Sequence, residues 1–146
     1  MPPRRSPALK SAEIFLSHST RNSSFVVKLA RRLRREGLRV WYSERHIVGA
    51  RQWHDEIGVA LKRCNWFVVV LSPASVRSKW VKHELLYALR VSRYNNRIVP
   101  LIYQSCKTTT LSWTLDNLHH VDFTQEPEDG YRALLRALRP KGRKPL

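Results

Sequence analysis

The feature that most constrains the fold is an unbroken apolar run, Trp-Phe-Val-Val-Val-Leu, at residues 66–71. A strand with one exposed face alternates apolar and polar residues, whereas a strand covered on both faces is apolar throughout. At six residues the run is far too short to span a membrane, and the chain contains no longer one. The run therefore predicts a central strand between two layers of helices.

Strand-like and helix-like segments alternate along the rest of the chain. β-type runs occur at residues 14–16, 38–42, 98–103 and 120–123. Apolar residues recur at helical spacing after residue 22, between 57 and 64, from about 78 to 92, and from 127 to 138. Because right-handed crossovers must return over the sheet, this order predicts an α/β fold. We expect a flavodoxin-like, doubly wound, five-stranded parallel sheet with helices on both faces. Pro100 favours a position near an edge or a bulge for the fourth strand.

The 146 residues suit one domain. We predict a disordered Pro- and Arg-rich start at residues 1–11, a folded domain at 12–139 and a basic tail at 140–146. The basic start lacks an apolar segment behind it, so we expect a cytoplasmic protein without a signal peptide or a membrane span. Cys64 and Cys106 are too few and too far apart for a disulfide scaffold or a zinc cluster.

The formal net charge of +16 is the unusual bulk property. A field of this sign attracts polyanions, so nucleic-acid binding is suggested by charge alone. The basic residues are dense only at residues 31–35 and 141–144. We favour a solvated helix face and a basic tail as the explanation, with a partner docked on that face as the alternative.

Ligands of open parallel sheets bind beyond the carboxyl ends of the strands, so the loops there are informative. These loops contain no P-loop, no dinucleotide-binding glycine motif and no nucleophile elbow. Ser17, His18 and Ser19 follow the first strand, and His18 could contact a ligand phosphate, although a polar loop histidine is the simpler interpretation. After the third strand come three serines near a predicted helix start, where exposed amides can hold phosphate: Ser72, Ser75 and Ser78.

Trp80 and Glu84 lie four residues apart in the predicted third helix and therefore share one of its faces. They border the core, because the apolar stripe of Val81 and Leu85 is rotated from them by about 100°. A carboxylate beside an indole suits a ligand with an aromatic ring and ribose hydroxyls. We expect no metal site, since the adjacent histidines at 119 and 120 diverge along a strand.

Several segments together resemble a known family. Residues 14–19, Ile-Phe-Leu-Ser-His-Ser, resemble the first box of Toll/interleukin-1 receptor (TIR) domains. Residues 37–42 resemble the second strand of that family, and residues 47–53 resemble its BB loop and the start of its second helix. Residues 69–85 resemble its third strand and W-x-x-x-E helix. All the segments occur in order and at the family's spacing, so the chain resembles a TIR domain of the bacterial type over about residues 12–139.

The resemblance implies an activity as well as a fold. Many bacterial TIR domains are NAD+ glycohydrolases, which release nicotinamide and form ADP-ribose or a cyclic ADP-ribose isomer. In this chain it implies that Glu84 is catalytic and that NAD+ is a substrate, with no cofactor. The candidate substrate-binding residues are Ser17, His18, Ser19, Trp53, Ser78 and Trp80. The implied BB loop covers about residues 43–53, with the assembly and gating residues Arg45, His46, Ile47 and Gly49.

This chain departs from the family in its loops. The segment at residues 20–22, Thr-Arg-Asn, lacks the acidic residue common there, and Glu44 stands where many members have aspartate. These departures concern the partner preference of the loops rather than the W-x-x-x-E pair.

The chemistry of glycosidic cleavage agrees with the implied activity. Cleavage of the nicotinamide–ribose bond passes through an oxocarbenium-like state, which a single carboxylate can face. We expect an enzyme activated by self-assembly into a homo-oligomer or filament, in contact with other TIR or sensor domains, in innate immunity or antiviral defence. The alternative is a non-catalytic TIR adaptor. The presence of Glu84, Ser78 and Trp80 favours the enzyme.

Overall fold

The computed structural model describes residues 12–43 and 50–138, with the backbone alone at residues 50–54. Strands and helices alternate along these ranges. The strands are β1 (Glu13–Ser17), β2 (Arg39–Tyr42), β3 (Trp66–Leu71), β4 (Ile98–Ile102) and β5 (Val121–Asp122). The helices are α1 (Ser23–Arg35), α2 (Ala50–Arg63), α3 (Lys79–Arg90) and α4 (Pro127–Ala137). The predicted disordered start and basic tail lie outside the described residues.

The five strands form one parallel sheet in the order β2-β1-β3-β4-β5. β1 is paired with both β2 and β3, so the strand order reverses beside it. The predicted flavodoxin-like fold is confirmed. In such a sheet the loops that follow β1 and β3 diverge to opposite sides and leave a crevice at the carboxyl edge.

Alternate residues of β3 belong to two hydrophobic cores. All six residues of the strand are buried. Val68 and Val70 pack on one face of the sheet, in a core that includes residues of α1 and α4. Phe67 and Val69 pack on the other face, with α2 and α3. The helices therefore cover both faces, as the apolar run of β3 predicted.

A cluster around Arg32 joins α1 to α4. The guanidinium of Arg32 donates to both carboxylate oxygens of Glu128, at 2.8 and 3.1 Å, and lies 3.7 Å from the centre of the Tyr131 ring. The hydrogen bond to Glu128 raises the pKa of Arg32 and lowers that of the carboxyl group. Arg31 and Arg35 are exposed, in agreement with the predicted solvated basic face.

The carboxyl-terminal end of α2 is anchored by residues that follow α3. The side chains of Arg93 and Tyr94 both donate to the backbone oxygen of Leu61. Arg93 Nε also donates to the backbone oxygen of Cys64 at 2.8 Å. Burial raises the pKa of the Cys64 thiol to about 11, so this side chain is a neutral core residue at physiological pH.

The connection between β4 and β5 could not be assigned from the sequence. It contains two 3₁₀ turns, Thr108–Thr110 and Trp113–Asn117. Pro100 lies opposite Val69 of β3, and the pairing with the short edge strand β5 begins only at Leu101. The proline thus lies near an edge, as predicted. Among the described residues, no helix is long and apolar enough to cross a membrane.

Gly130 in the first turn of α4 tests the packing of this helix against β5. A Cβ atom at this position would lie 2.6 Å from the backbone oxygen of Asp122 and 2.8 Å from Cδ1 of Phe123. We expect Gly130→Ala to lower the free energy of unfolding by about 1–3 kcal/mol, measured by urea denaturation, because the neighbouring backbone must shift.

The matched control is Gly58→Ala in the interior of α2, where a Cβ atom meets nothing within 4 Å. This change raises helix propensity, so we expect the free energy of unfolding to rise by up to about 1 kcal/mol. Equal effects of the two substitutions on stability would contradict the close packing of α4 on β5.

Candidate active site

The hydroxyl of Ser17 and the carboxylate of Glu84 meet at the carboxyl edge of the sheet. Ser17 is the last residue of β1, and Glu84 lies in the second turn of α3. Ser17 Oγ donates to Glu84 Oε1 at 2.7 Å, a usual length for a hydroxyl bonded to a carboxylate. The bond thus links β1 to α3, the helix that follows the neighbouring strand β3.

The apolar stripe of α3 brings Glu84 inside the protein. Val81 and Leu85, on either side of it in the helical pattern, are fully buried against the sheet. Glu84 is 3% exposed, which is deeper than the border position predicted from helical spacing. A buried carboxylate is costly unless it is hydrogen-bonded, and Ser17 supplies such a bond.

A second hydrogen-bond network joins the loops after β1 and β3. Ser72 Oγ donates to Asn22 Oδ1 at 2.7 Å. Ser75 Oγ accepts the backbone N–H of Ser72 at 2.8 Å, and Ser72 Oγ accepts that of Ser75 at 3.1 Å. Both serines are fully buried. Both serines lie between β3 and α3, as predicted, and their hydroxyls fix the loop itself. Phosphate binding at this loop stays a prediction.

Ser19 and Ser78 each cap the start of a helical segment. Ser19 Oγ accepts the backbone N–H of Arg21 at 3.2 Å, and Ser78 Oγ accepts that of Val81 at 3.3 Å. Ser78 is partly exposed, and Ser19 is 8% exposed. Both residues lie at the edge where a ligand is expected, and their role in substrate binding stays a prediction.

The other predicted substrate-binding residues differ in their surroundings. His18 is 2% exposed and lies edge-on to Tyr42, with 6.3 Å between ring centroids. It lies in the loop after β1, as the simpler interpretation has it, but it is buried there, and its contact with a ligand phosphate stays a prediction. Trp80 is half-buried at the start of α3, one turn before Glu84, with its ring 6.1 Å from that of His83.

The predicted BB-loop residues lie outside the described part of the chain. These are Arg45, His46, Ile47 and Gly49. Trp53 lies in α2, but its side chain is likewise outside the description. Among the residues that are described, no three of the His, Cys, Asp and Glu side chains are grouped as metal ligands would be.

A cavity of about 710 Å³ opens beside these loops. Its lining includes Ser19 and Ser78, together with residues that the sequence analysis did not predict to bind a ligand. The full lining is Ser19, Arg21, Asn22, Pro73, Ala74, Arg77, Ser78 and Gln104. In the sequence, Arg21 appeared only within a loop that departs from the family pattern. The spacing of Arg77 and Gln104 gave no indication that they line a cavity.

Comparison with known proteins agrees with this geometry. A family model described as "TIR domain" matches residues 14–135. The chain belongs to the TIR domain family. The match covers β1 from its second residue, the other four strands and most of α4, so the resemblance found in the sequence is confirmed.

The relatives of this TIR domain include proteins named for NAD+ chemistry. The 2′ cyclic ADP-D-ribose synthase BtTIR of Bacteroides thetaiotaomicron is 31% identical over 52% of this chain and 27% of its own length. The probable 2′ cyclic ADP-D-ribose synthase TcpO of Methanobrevibacter olleyae is 26% identical over 90% of this chain and 35% of its own. The NAD(+) hydrolase TcpC of Escherichia coli is 26% identical over 68% of this chain and 33% of its own. The aligned part of this chain thus spans between 27% and 35% of the length of each relative.

Solved structures confirm the fold. The TIR domain of the Toll-related receptor TRR-2 from Hydra magnipapillata superposes with a TM-score of 0.73 at 19% identity, covering 89% of this chain and 100% of that one. A metazoan TIR-STING receptor from C. gigas superposes with a TM-score of 0.72 at 22% identity, covering 95% of this chain and 42% of that one.

The Ser17–Glu84 hydrogen bond predicts a specific loss of stability. Ser17→Ala removes a donor from a buried carboxylate, so we expect the free energy of unfolding to fall by about 1–3 kcal/mol in urea denaturation. Ser24→Ala, at an exposed position of α1, is the matched control and should stay within about 0.5 kcal/mol of the wild type. If Ser17→Ala were as stable as Ser24→Ala, the bond would contribute nothing to the fold.

Proposed function

We propose that this TIR domain is an NAD+ glycohydrolase in which Glu84 is the catalytic carboxylate. The observation that carries the proposal is a buried glutamate, hydrogen-bonded by Ser17, at the edge of the sheet where ligands of this fold class bind. Proteins named cyclic ADP-D-ribose synthase and NAD(+) hydrolase among the relatives support the choice of NAD+ as substrate.

The reaction breaks the bond between ribose C1′ and the nicotinamide nitrogen. The electron pair of this bond neutralises the pyridinium, so nicotinamide leaves as a neutral molecule without a proton from the enzyme. The ribose becomes oxocarbenium-like, and water captures it to give ADP-ribose, whereas a hydroxyl of the same molecule gives a cyclic isomer. Either capture releases one proton.

A carboxylate in this position stabilises the transition state more than the ground state. The positive charge of NAD+ moves from the pyridinium ring to the ribose as the bond breaks, so an anion beside the ribose gains attraction during the reaction. The low exposure of Glu84 strengthens this attraction, because little water screens it. Ser17 fixes one carboxylate oxygen, which reduces the reorganisation needed at the moment of reaction.

Restricted access to Glu84 supports activation by assembly. With 3% of the residue exposed, a substrate reaches the carboxylate only when neighbouring groups move. We assign that movement to TIR–TIR contacts through the predicted BB loop, so that a homo-oligomer or filament is the active form. We place the activity in cytoplasmic defence signalling, with other TIR or sensor domains as further partners.

Replacement of Glu84 tests the catalytic assignment. We expect Glu84→Gln to reduce nicotinamide release from NAD+ by at least about 100-fold, because the amide cannot balance the developing positive charge. The amide is nearly isosteric and can still accept from Ser17, so the fold should be retained, as measured by circular dichroism. Product chromatography on the wild type distinguishes ADP-ribose from a cyclic isomer.

The matched control is Glu36→Gln, which neutralises an exposed glutamate at the end of α1, and it should leave turnover unchanged. A Glu84→Gln protein with most of the wild-type activity would refute the role of this residue. A wild type without turnover even when concentrated and crowded would instead favour the TIR adaptor that does no chemistry.

Mixing the two proteins tests activation by assembly. We expect folded but inactive Glu84→Gln protein, added to dilute wild type, to raise turnover per wild-type molecule, since it supplies contacts without supplying chemistry. The same mass of an unrelated basic protein controls for crowding and charge. If the rate per wild-type molecule changed neither with the wild-type concentration nor with the added variant, single domains would be active.

A further inference from the structure

The cavity beside the loops after β1 and β3 is basic. Two arginines, Arg21 and Arg77, lie on its wall and are exposed. None of the described residues that line it is acidic. Within the described part of the chain, no ion pair or side-chain hydrogen bond engages either guanidinium, so both are available to a ligand.

The two serine hydroxyls of the wall are arranged to donate. Ser19 Oγ already accepts the N–H of Arg21, and Ser78 Oγ already accepts that of Val81. A hydroxyl that accepts from the backbone on one side keeps its own proton for a partner on the other side. Each serine can therefore donate one hydrogen bond toward the cavity.

The amide side chains add further donors. The oxygen of the Asn22 amide is taken by Ser72, so the part of this side chain left for a ligand is its NH₂ group. Gln104 lies on the same wall, held there by its backbone N–H, which donates to the oxygen of Leu71 at 3.2 Å. The wall thus combines two cations with neutral donors, which is the chemistry that recognises phosphate.

The cavity adjoins the Ser17–Glu84 pair. Ser19 lies two residues after Ser17, and Ser78 is the N-cap of α3, six residues before Glu84 and roughly 9 Å from it along the helix axis. In a dinucleotide, a methylene and an ester oxygen separate the ribose from the diphosphate. We therefore expect the phosphates of a ribose held at Glu84 to lie toward the wall that carries Arg21 and Arg77.

We infer that this cavity binds the diphosphate of the nucleotide whose ribose lies at Glu84, with Arg21 and Arg77 as the charged contacts. The inference rests on the proposed function and names further binding residues for the same substrate.

The test compares Arg21→Gln/Arg77→Gln with a control that removes the same charge elsewhere, Arg90→Gln/Arg136→Gln. The control arginines are exposed near the carboxyl-terminal ends of α3 and α4, remote from the cavity. Calorimetry at near-physiological salt measures binding of ADP and of inorganic pyrophosphate, with adenosine as the probe that lacks phosphate. Steady-state kinetics measures the KM and kcat for NAD+.

We expect the cavity variant to bind ADP and pyrophosphate at least about tenfold more weakly than the wild type, while the control is unchanged. Its KM for NAD+ should rise by a similar factor with little change in kcat, because binding of the diphosphate does not differ between ground and transition states. Adenosine binding should be equally weak in all three proteins.

Failure of this inference is distinguishable from failure of the proposed function. NAD+ turnover with an unaltered KM in the cavity variant would overturn the diphosphate site and leave the glycohydrolase intact. If the cavity variant lost ADP and pyrophosphate binding but the wild type did not turn over NAD+, the phosphate site would be retained. The glycohydrolase activity would then be refuted. If ADP and pyrophosphate bound equally weakly to the cavity variant and to the control, the binding would reflect general charge attraction. This result would overturn the proposed site.

Discussion

The hydrogen bond from Ser17 to Glu84 is the interaction on which the candidate site depends. A strand covered by helices on both faces delivers the residues at its end into a largely buried edge, where polar groups need partners within the protein. Ser17 meets this requirement by bonding to a carboxylate on α3, and Ser72 meets it by bonding to Asn22. The first bond holds a carboxylate inside a strongly basic chain, and the second joins the loops that follow β1 and β3.

The sequence predicts the fold well where periodicity and burial agree. The apolar run of β3 required helices on both faces, and the structure places α1 and α4 on one face and α2 and α3 on the other. The connection at residues 104–118 was unassigned because its 3₁₀ turns are shorter than the window in which a periodic pattern develops. β5 is shorter than predicted, because only its residues Val121 and Asp122 are paired with β4 at the edge of the sheet.

The candidate site was predictable to the extent that it follows from helix geometry and family resemblance. Spacing placed Glu84 at the border of the core, but its depth depends on how closely α3 packs against the sheet, which no local pattern encodes. The burial of His18 against Tyr42 and the bonds between Ser72 and Ser75 depend on loop conformation. Arg21 and Arg77 are brought to one cavity by strands far apart in sequence, so neither could be recognised alone.

The anchoring of α2 has a mechanical consequence. Arg93 and Tyr94 fix the backbone of this helix at Leu61, whereas its first residue, Ala50, lies within the segment that resembles the BB loop. The helix axis rises by about 16 Å between Ala50 and Leu61. A rotation of about 10° would move the first turn by roughly 3 Å and leave the far end in place. A contact made near the start of α2 could in this way be converted into a displacement of its first turn without unfolding any element of the domain.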